Sequence, residues 1–261
     1  MFSIITISFN SEKTIERTIQ SVLAQTYKDY EYIIVDGASK DGTLDIIKKF
    51  EPLFEGRMKW KSEPDKGIYN AMNKGIERSL GTIIGIVNSD DWLEPDALEK
   101  VHQAYIANNS DNNTLYCGGI IFQTTQGTKR LLKADKEVFL KNSRYYVLAG
   151  IRHPATFVPA VIYKKVGVFD ERIKIAADTD FILRCKYRGV DFCVLNSFIS
   201  NMSDGGLSNR KGIFKLGKKD RRIILQNNGV HGLAYFFQMS YWVVRKTIRG
   251  LLIKLSLYKT S

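Results

Sequence analysis

Asp90 and Asp91 close an apolar run, Thr82-Ile83-Ile84-Gly85-Ile86-Val87, with Asn88 and Ser89 in between. Such a run reads as a buried strand, and carboxylates just past its end lie where an open α/β sheet binds its ligand. An upstream segment repeats the pattern: Tyr32-Ile33-Ile34-Val35 leads into Asp36-Gly37-Ala38-Ser39-Lys40-Asp41-Gly42-Thr43. Two acidic strand ends in one sheet suit a hard divalent cation and a phosphate, because Mg2+ and Mn2+ prefer oxygen ligands. Asp178 and Asp180, in Ala176-Ala177-Asp178-Thr179-Asp180-Phe181, form a third acidic group.

These residues must be positioned by alternating elements. A strand over 4–9 is followed by a helix over about 11–25, with Ile15, Ile19, Val22 and Leu23 at helical spacing and Ser11 with Thr14 at its start. Strand 32–35, helix 43–50, short strand 58–61, helix 67–79, strand 83–87 and helix 96–108 continue the alternation. This order predicts an α/β fold with a mostly parallel central sheet flanked by helices. A hairpin, 115–125 with 129–132, turns around Gln126-Gly127. Helices at 160–166 and 179–188 and a strand at 191–195 follow.

With 261 residues, 44% of them apolar, the chain can bury a substantial core. The formal charge of +12 is unevenly placed: residues 207–261 hold 12 Lys and Arg against Asp220 alone, and residues 1–206 are nearly neutral. The sheet domain therefore lacks the basic surface of a nucleic-acid binder, and no nucleic-acid partner is expected. Cys117, Cys185 and Cys193 have no metal-ligand spacing and read as reduced thiols of a cytoplasmic protein, two of them buried. The first residues lack a basic leader and a cleavage site, and read as a strand. Between Leu233 and Leu257 aromatic and aliphatic residues mix with Arg245, Lys246, Arg249 and Lys254. Those charges interrupt any stretch of the about 20 apolar residues that spans a bilayer. A basic amphipathic helix on an anionic membrane surface fits this pattern, placing the protein peripherally on the inner face of the membrane; the other reading is a helix packed on its own domain.

Ser8-Phe9-Asn10, the segment 35–43, Glu63-Pro64-Asp65-Lys66-Gly67-Ile68-Tyr69-Asn70-Ala71-Met72-Asn73-Lys74-Gly75 and Asn88-Ser89-Asp90-Asp91 together resemble family 2 glycosyltransferases of the GT-A fold. The block from Glu63 is similar to enzymes that build bacterial surface polysaccharides. The resemblance covers about residues 1–200. It implies a donor half over about 1–110, an acceptor half over about 111–206, and a separate C-terminal segment, 207–261. It also implies an inverting transfer from a nucleoside-diphosphate sugar, UDP by family frequency, to a lipid-linked or growing saccharide.

The resemblance assigns roles residue by residue. Thr6, Ser8 and Asn10 line the nucleoside site, and Asp36 meets the nucleobase or, on the alternative reading, only shapes its turn. Asp65 and Lys66 fall on the donor-side loop, where Lys66 could offset diphosphate charge. Asp90 is the metal-ligand position, with Mn2+ or Mg2+ as cofactor. Asn88 stands where the family usually has an acid, leaving a neutral group for the ribose or a metal-bound water; Ser89 lies beside it. Asp91 either assists or caps the following helix. Asp178 matches the base position, as inverting displacement needs one carboxylate to take the acceptor's proton, and Asp180 is its rival. His153 falls near the acceptor pocket. Asp204-Gly205-Gly206-Leu207-Ser208 is either a closing loop or a linker.

Two other classes compete. A nucleotidyltransferase also uses acidic strand ends, but Ser8-Phe9-Asn10-Ser11-Glu12 offers no Gly-rich phosphate loop. A non-enzymatic membrane or nucleic-acid adaptor would use the basic tail and leave the ordered carboxylates without a role.

Overall fold

The structure, a computed structural model, describes residues 1–124, 127–144, 149–203 and 217–254. The expected loop at 204–208 and much of the basic run from Arg210 lie outside the described residues. Phe2–Ser8 (β1), Ile15–Leu23 (α1), Tyr30–Asp36 (β2), Thr43–Phe50 (α2), Met58–Ser62 (β3), Ile68–Arg78 (α3), Ile83–Ile86 (β4), Trp92–Leu93 (β5) and Ala97–Ala107 (α4) form the first half. Thr114–Gln123 (β6), Lys129–Leu132 (β7), Lys136–Ser143 (α5), Thr156–Pro159 (β8), Ala160–Val166 (α6), Ala177–Tyr187 (α7), Asp191–Ser203 (β9), Lys218–Asn227 (α8) and Gly232–Lys254 (α9) follow.

One sheet runs in the order β3-β2-β1-β4-β8-β6-β9-β5, with β7 on β6. The parallel pairing expected from the strand–helix alternation holds for β3, β2, β1 and β4. Beyond β4 the sheet is mixed, since β8 runs antiparallel to both β4 and β6, and β6 pairs parallel with β9. Period-two alternation sends Ile5, Ile7, Ile33 and Val35 to one face and Phe2, Ile4, Tyr32 and Ile34 to the other. The first face is covered by α3, α6, α7 and α8, the second by α1, α2 and α4. Gly75 lets α3 lie close on β1: a Cβ there would stand 2.5 Å from Ile5 Cγ2.

Four expectations change. Helix α1 begins at Ile15, and no side chain caps it; Ser11 and Thr14 form a turn before it, with Thr14 N–H on Ser11 O at 3.0 Å. β9 extends to Ser203, well past 195. Helix α5, capped by Asp135 through Val138 N–H at 2.8 Å, and strand β8 were not expected. The segment after 206 is not one tail: α8 buries Ile223, Ile224 and Leu225, and α9 alone is largely exposed. Cys117 and Cys185 are buried and Cys193 half-buried, all free.

Candidate active site

Because β1, β2 and β4 are parallel, their C-terminal ends share one edge, and the strand order switches direction between β1 and its two neighbours. The loop after β1 is laced to the loop after β2. Asn10 N–H donates to Ser39 Oγ at 2.8 Å, Lys40 N–H to Asn10 Oδ1 at 2.9 Å, and Ser11 N–H to Thr43 Oγ1 at 2.8 Å. Asn10 has φ 49°, a left-handed backbone that Asn tolerates better than most side chains. Asp36 is fully buried beneath this lacing. It accepts from Ser8 Oγ at 2.9 Å, Ser39 Oγ at 2.6 Å, Ser39 N–H at 2.9 Å and Ser62 Oγ at 2.7 Å. A carboxylate has about four acceptor sites, so Asp36 shapes the turn, and a nucleobase contact would need one of these donors displaced.

Thr6 lies inside the strand, not at its end. Its Oγ1 accepts the Tyr32 hydroxyl at 2.9 Å within the core, so its side chain takes no part in the cleft. Asp65 Oδ1 accepts Gly67 N–H at 2.8 Å, and its Oδ2 packs on Gly37, where a Cβ would come within 2.5 Å. Phe9, 61% exposed, lies on the other side of Gly37, with its ring 3.3 Å from the same Cβ position. Lys66 is exposed.

The acidic turn after β4 faces the loop after β1, with Ser89 and Ser11 hydroxyls 2.8 Å apart. The capping role for Asp91 does not hold, because β5 follows it and α4 starts only at Ala97. Asp91 is buried and takes a bond from Asn88 Nδ2 at 3.0 Å. Burial and the neighbouring charge of Asp90 push its carboxyl up to about 8. Burial also raises Asp90. Arg17, on α1, lies 3.5 Å over the Trp92 ring and donates to the Asp90 carbonyl at 2.9 Å. Its charge opposes the rise at both carboxyls without cancelling it.

These residues fit a hard cation. Asn88 Oδ1 is buried without a hydrogen-bond partner among the described residues, and burial destabilises the two adjacent carboxyls as anions. Among the described residues no cluster of three or more His, Cys, Asp or Glu could hold a metal. A cation at Asp90 would therefore complete its shell with phosphate and water oxygens, as Mg2+ commonly does.

Across the edge, α7 opens with Asp178, whose Oδ1 accepts the Tyr69 hydroxyl at 3.4 Å. His153, in a short 3-10 turn before β8, is buried against Phe169 at 5.5 Å between ring centroids. Burial lowers its pKa, and the nearby charge of Asp178 opposes that. Asp180 points elsewhere: its carboxylate pairs with Arg184 Nε at 2.7 Å and accepts from Asn227 Nδ2 at 3.1 Å. It is buried structure between α7 and α8. The sheet edge thus gathers Ser8, Asn10, Asp36 and Asp65 at the loops after β1, β2 and β3, and Asn88, Ser89, Asp90 and Asp91 at the turn after β4, with His153 and Asp178 beyond. Sequence reasoning named no role for Tyr69, Phe9 or Arg17. Tyr69 stood inside a quoted motif, and an exposed aromatic after β1 was a usable signal for Phe9; Arg17 had none.

The glycosyl transferase family 2 model matches residues 3–166. A PGL/p-HBAD biosynthesis glycosyltransferase of Mycobacterium tuberculosis is 31% identical over 218 residues, 80% of this chain and 79% of that protein. An uncharacterized glycosyltransferase of the same species is 34% identical over 188 residues, 70% and 67% of the two chains. Among solved structures, S. aureus TarS 1–349 in complex with UDP-GlcNAc superposes with a TM-score of 0.67 at 21% identity, covering 87% of this chain and 66% of that one. Against a longer TarS chain the TM-score is 0.61, and this chain spans 36% of its length. The TarS likeness shows the GT-A fold.

Proposed function

This chain belongs to glycosyl transferase family 2, and from that premise we propose that it moves a sugar from a UDP-sugar, with inversion, onto a hydroxyl of a lipid-linked or growing saccharide. The observation that supports this reading is the buried acidic turn after β4, where among the described residues the Asn88 amide oxygen has no hydrogen-bond partner, together with the Asp178 carboxylate in the first turn of α7. The family membership and the UDP-GlcNAc complex of TarS support a nucleotide-sugar donor.

In this reading the laced loops after β1 and β2 receive the nucleoside, and Phe9 offers a planar face for the base to stack on. Asp90 holds Mn2+ or Mg2+, with Asp91 and Asn88 as supporting oxygen donors. A bound cation would supply positive charge to the departing diphosphate. Asp178 takes the proton of the attacking hydroxyl. His153, kept neutral by burial, can exchange a hydrogen bond with the acceptor.

The membrane part of the reading rests on α9. Among the described residues no helix is long and apolar enough to cross a membrane. Leu233, Phe236, Phe237, Tyr241, Val244 and Ile248 are exposed along one side of α9, while Tyr235, Gln238, Met239 and Trp242 are half-buried on the other. Gln238 Nε2 donates to the Arg144 carbonyl at 3.3 Å. Both sequence readings of the segment therefore have a face: one side of α9 packs on the domain, and the other is available to an anionic bilayer beside Arg245.

Thermal unfolding with UDP, GDP, dTDP and CMP, each with Mn2+, Mg2+ or EDTA, tests the donor site, because a ligand of the folded state raises apparent stability. Stabilisation by UDP that requires the cation is expected. Indifference to every nucleotide would leave the non-enzymatic adaptor as the reading to pursue.

A further inference from the structure

The face of α3 that carries Tyr69, Asn70 and Asn73 reaches across to the acceptor half. Asn73 clasps the Phe169 backbone, with Nδ2 on its carbonyl at 2.9 Å and Oδ1 accepting its N–H at 3.0 Å. Asn70 Nδ2 meets both Glu171 carboxylate oxygens at 3.1 Å. Tyr69 Oη accepts the Ala176 N–H at 3.0 Å and donates to Asp178 Oδ1 at 3.4 Å, a long contact of the kind that tightens when substrate binds. Burial and the Asp178 charge both push the Tyr69 phenol up, so it keeps the proton it donates. Ala176, immediately before α7, has φ 73°. A residue with a Cβ adopts that left-handed backbone at a cost, so the partner of its N–H helps to hold it there. At this same end α3 opens at Gly67, two residues before Tyr69 and bonded to Asp65 in the loop that presses on Gly37.

We propose that Tyr69 is a positioning residue: its hydroxyl fixes both the left-handed turn at Ala176 and the orientation of Asp178, tying the base to the donor-side loop through the first turn of α3. The inference rests on Asp178 being the base. Loss of this one oxygen releases both the Ala176 N–H and the Asp178 carboxylate from their common partner, and leaves the donor-side contacts in place.

The test compares wild type, Tyr69→Phe, Asp178→Asn and the double variant. UDP release from UDP-N-acetylglucosamine, UDP-glucose and UDP-galactose is followed in Mn2+ with water as acceptor. Tyr69→Phe is expected to lower kcat at least about tenfold, in the range for a hydrogen bond to a charged group, with donor KM within about twofold. Adding Tyr69→Phe to Asp178→Asn should have little further effect. A Tyr69→Phe enzyme with wild-type kcat, beside an inactive Asp178→Asn, overturns the inference and leaves the base intact. Full turnover by Asp178→Asn overturns both. Hydrogen exchange needs no turnover: the Ala176 amide should exchange at least about tenfold faster in Tyr69→Phe, and unchanged exchange also overturns the inference.

Discussion

Asn88 Nδ2 bonds Asp91 Oδ2 at 3.0 Å, which turns the opposite side of the same amide, Oδ1, into a buried acceptor without a donor. Two raised carboxyls and an idle carbonyl oxygen lie within four consecutive residues. In the proposed reading a cation would satisfy that combination, with Asn at position 88 as a neutral oxygen donor.

Asp90→Ala should therefore abolish the cation-dependent part of nucleotide binding. At a ligand concentration near a hundred times Kd, binding adds about 2.7 kcal/mol, which corresponds to roughly 5–10 °C in Tm for a chain of this size. The variant should lose that increment and keep the Tm of the unliganded protein. An unchanged UDP shift would remove Asp90 from the metal site.

Without a cation, stability should fall with rising pH. Asp91 binds its proton more tightly in the folded chain than in the unfolded one, where a carboxyl titrates near about 3.9. Its contribution is complete below that pH and is lost as pH rises through about 8. Burial of Asp90 acts in the same sense. In EDTA, Tm should decline across this window, and Asp91→Asn, neutral throughout, should flatten the decline. Parallel profiles for the two proteins would mean that Asp91 ionises freely in the fold.

Asp178→Asn should lower transfer about 10²–10⁴-fold, the usual contribution of a general base, with UDP affinity unchanged. Titration calorimetry and a radiolabelled-sugar assay read the two effects separately. A loss of affinity equal to the loss of rate would place Asp178 in donor binding instead.

Arg184→Ala should cost about 3–5 kcal/mol, because it leaves the Asp180 carboxylate buried without its partner at 2.7 Å. The guanidinium also donates to the carbonyls of Val166 and Val168, each at 2.7 Å. Urea melts measure this directly, and a loss under about 1 kcal/mol would be the behaviour of a surface pair.

Removing α9 and removing α8 should have different consequences. A chain ending at Val230 is expected to fold and bind UDP but to lose salt-sensitive association with phosphatidylglycerol vesicles. A chain ending at Leu216 also exposes the contacts of Ile223, Ile224 and Leu225, each worth about 1.5–3 kcal/mol when fully buried. It further loses the Asp220 carboxylate that accepts the Ile175 N–H at 3.2 Å, three residues before Asp178. This shorter chain should be unstable. Vesicle binding that survives removal of α9 would transfer the membrane contact to another surface.

What the sequence disclosed follows from how each feature is encoded. β1, β2 and β4 are largely apolar runs, and Asp36 and Asp90 follow from the strand ends. The mixed half of the sheet was harder: β8 is four residues ending in Pro159 and has no alternation of its own, and β9 continues past Leu195 through a stretch with polar Asn196, Ser197 and Asn201. In α8 the charges of Lys218, Lys219, Arg221 and Arg222 hid an apolar triplet. Asp178 and Asp180 are two residues apart on α7, and only packing decides which meets the cleft and which meets Arg184. Thr6 illustrates the converse, a polar residue near a strand end whose hydroxyl is satisfied inside the core.

Helix α3 also sets a limit on change. Tyr69 and Asn73 stand one turn apart and grip Ala176 and Phe169, while Gly75 rests on Ile5. Since each residue rotates a helix by about 100°, inserting or deleting one between Gly67 and Gly75 would swing Tyr69 away from Asp178 or drive a side chain into β1. A change of length there displaces all of these contacts at once. β7, by contrast, pairs with β6 alone. A change of length in that hairpin therefore leaves the pairing of β1, β2 and β4 in place, whereas the eight residue steps from Gly67 to Gly75 are held at Tyr69, Asn73 and Gly75.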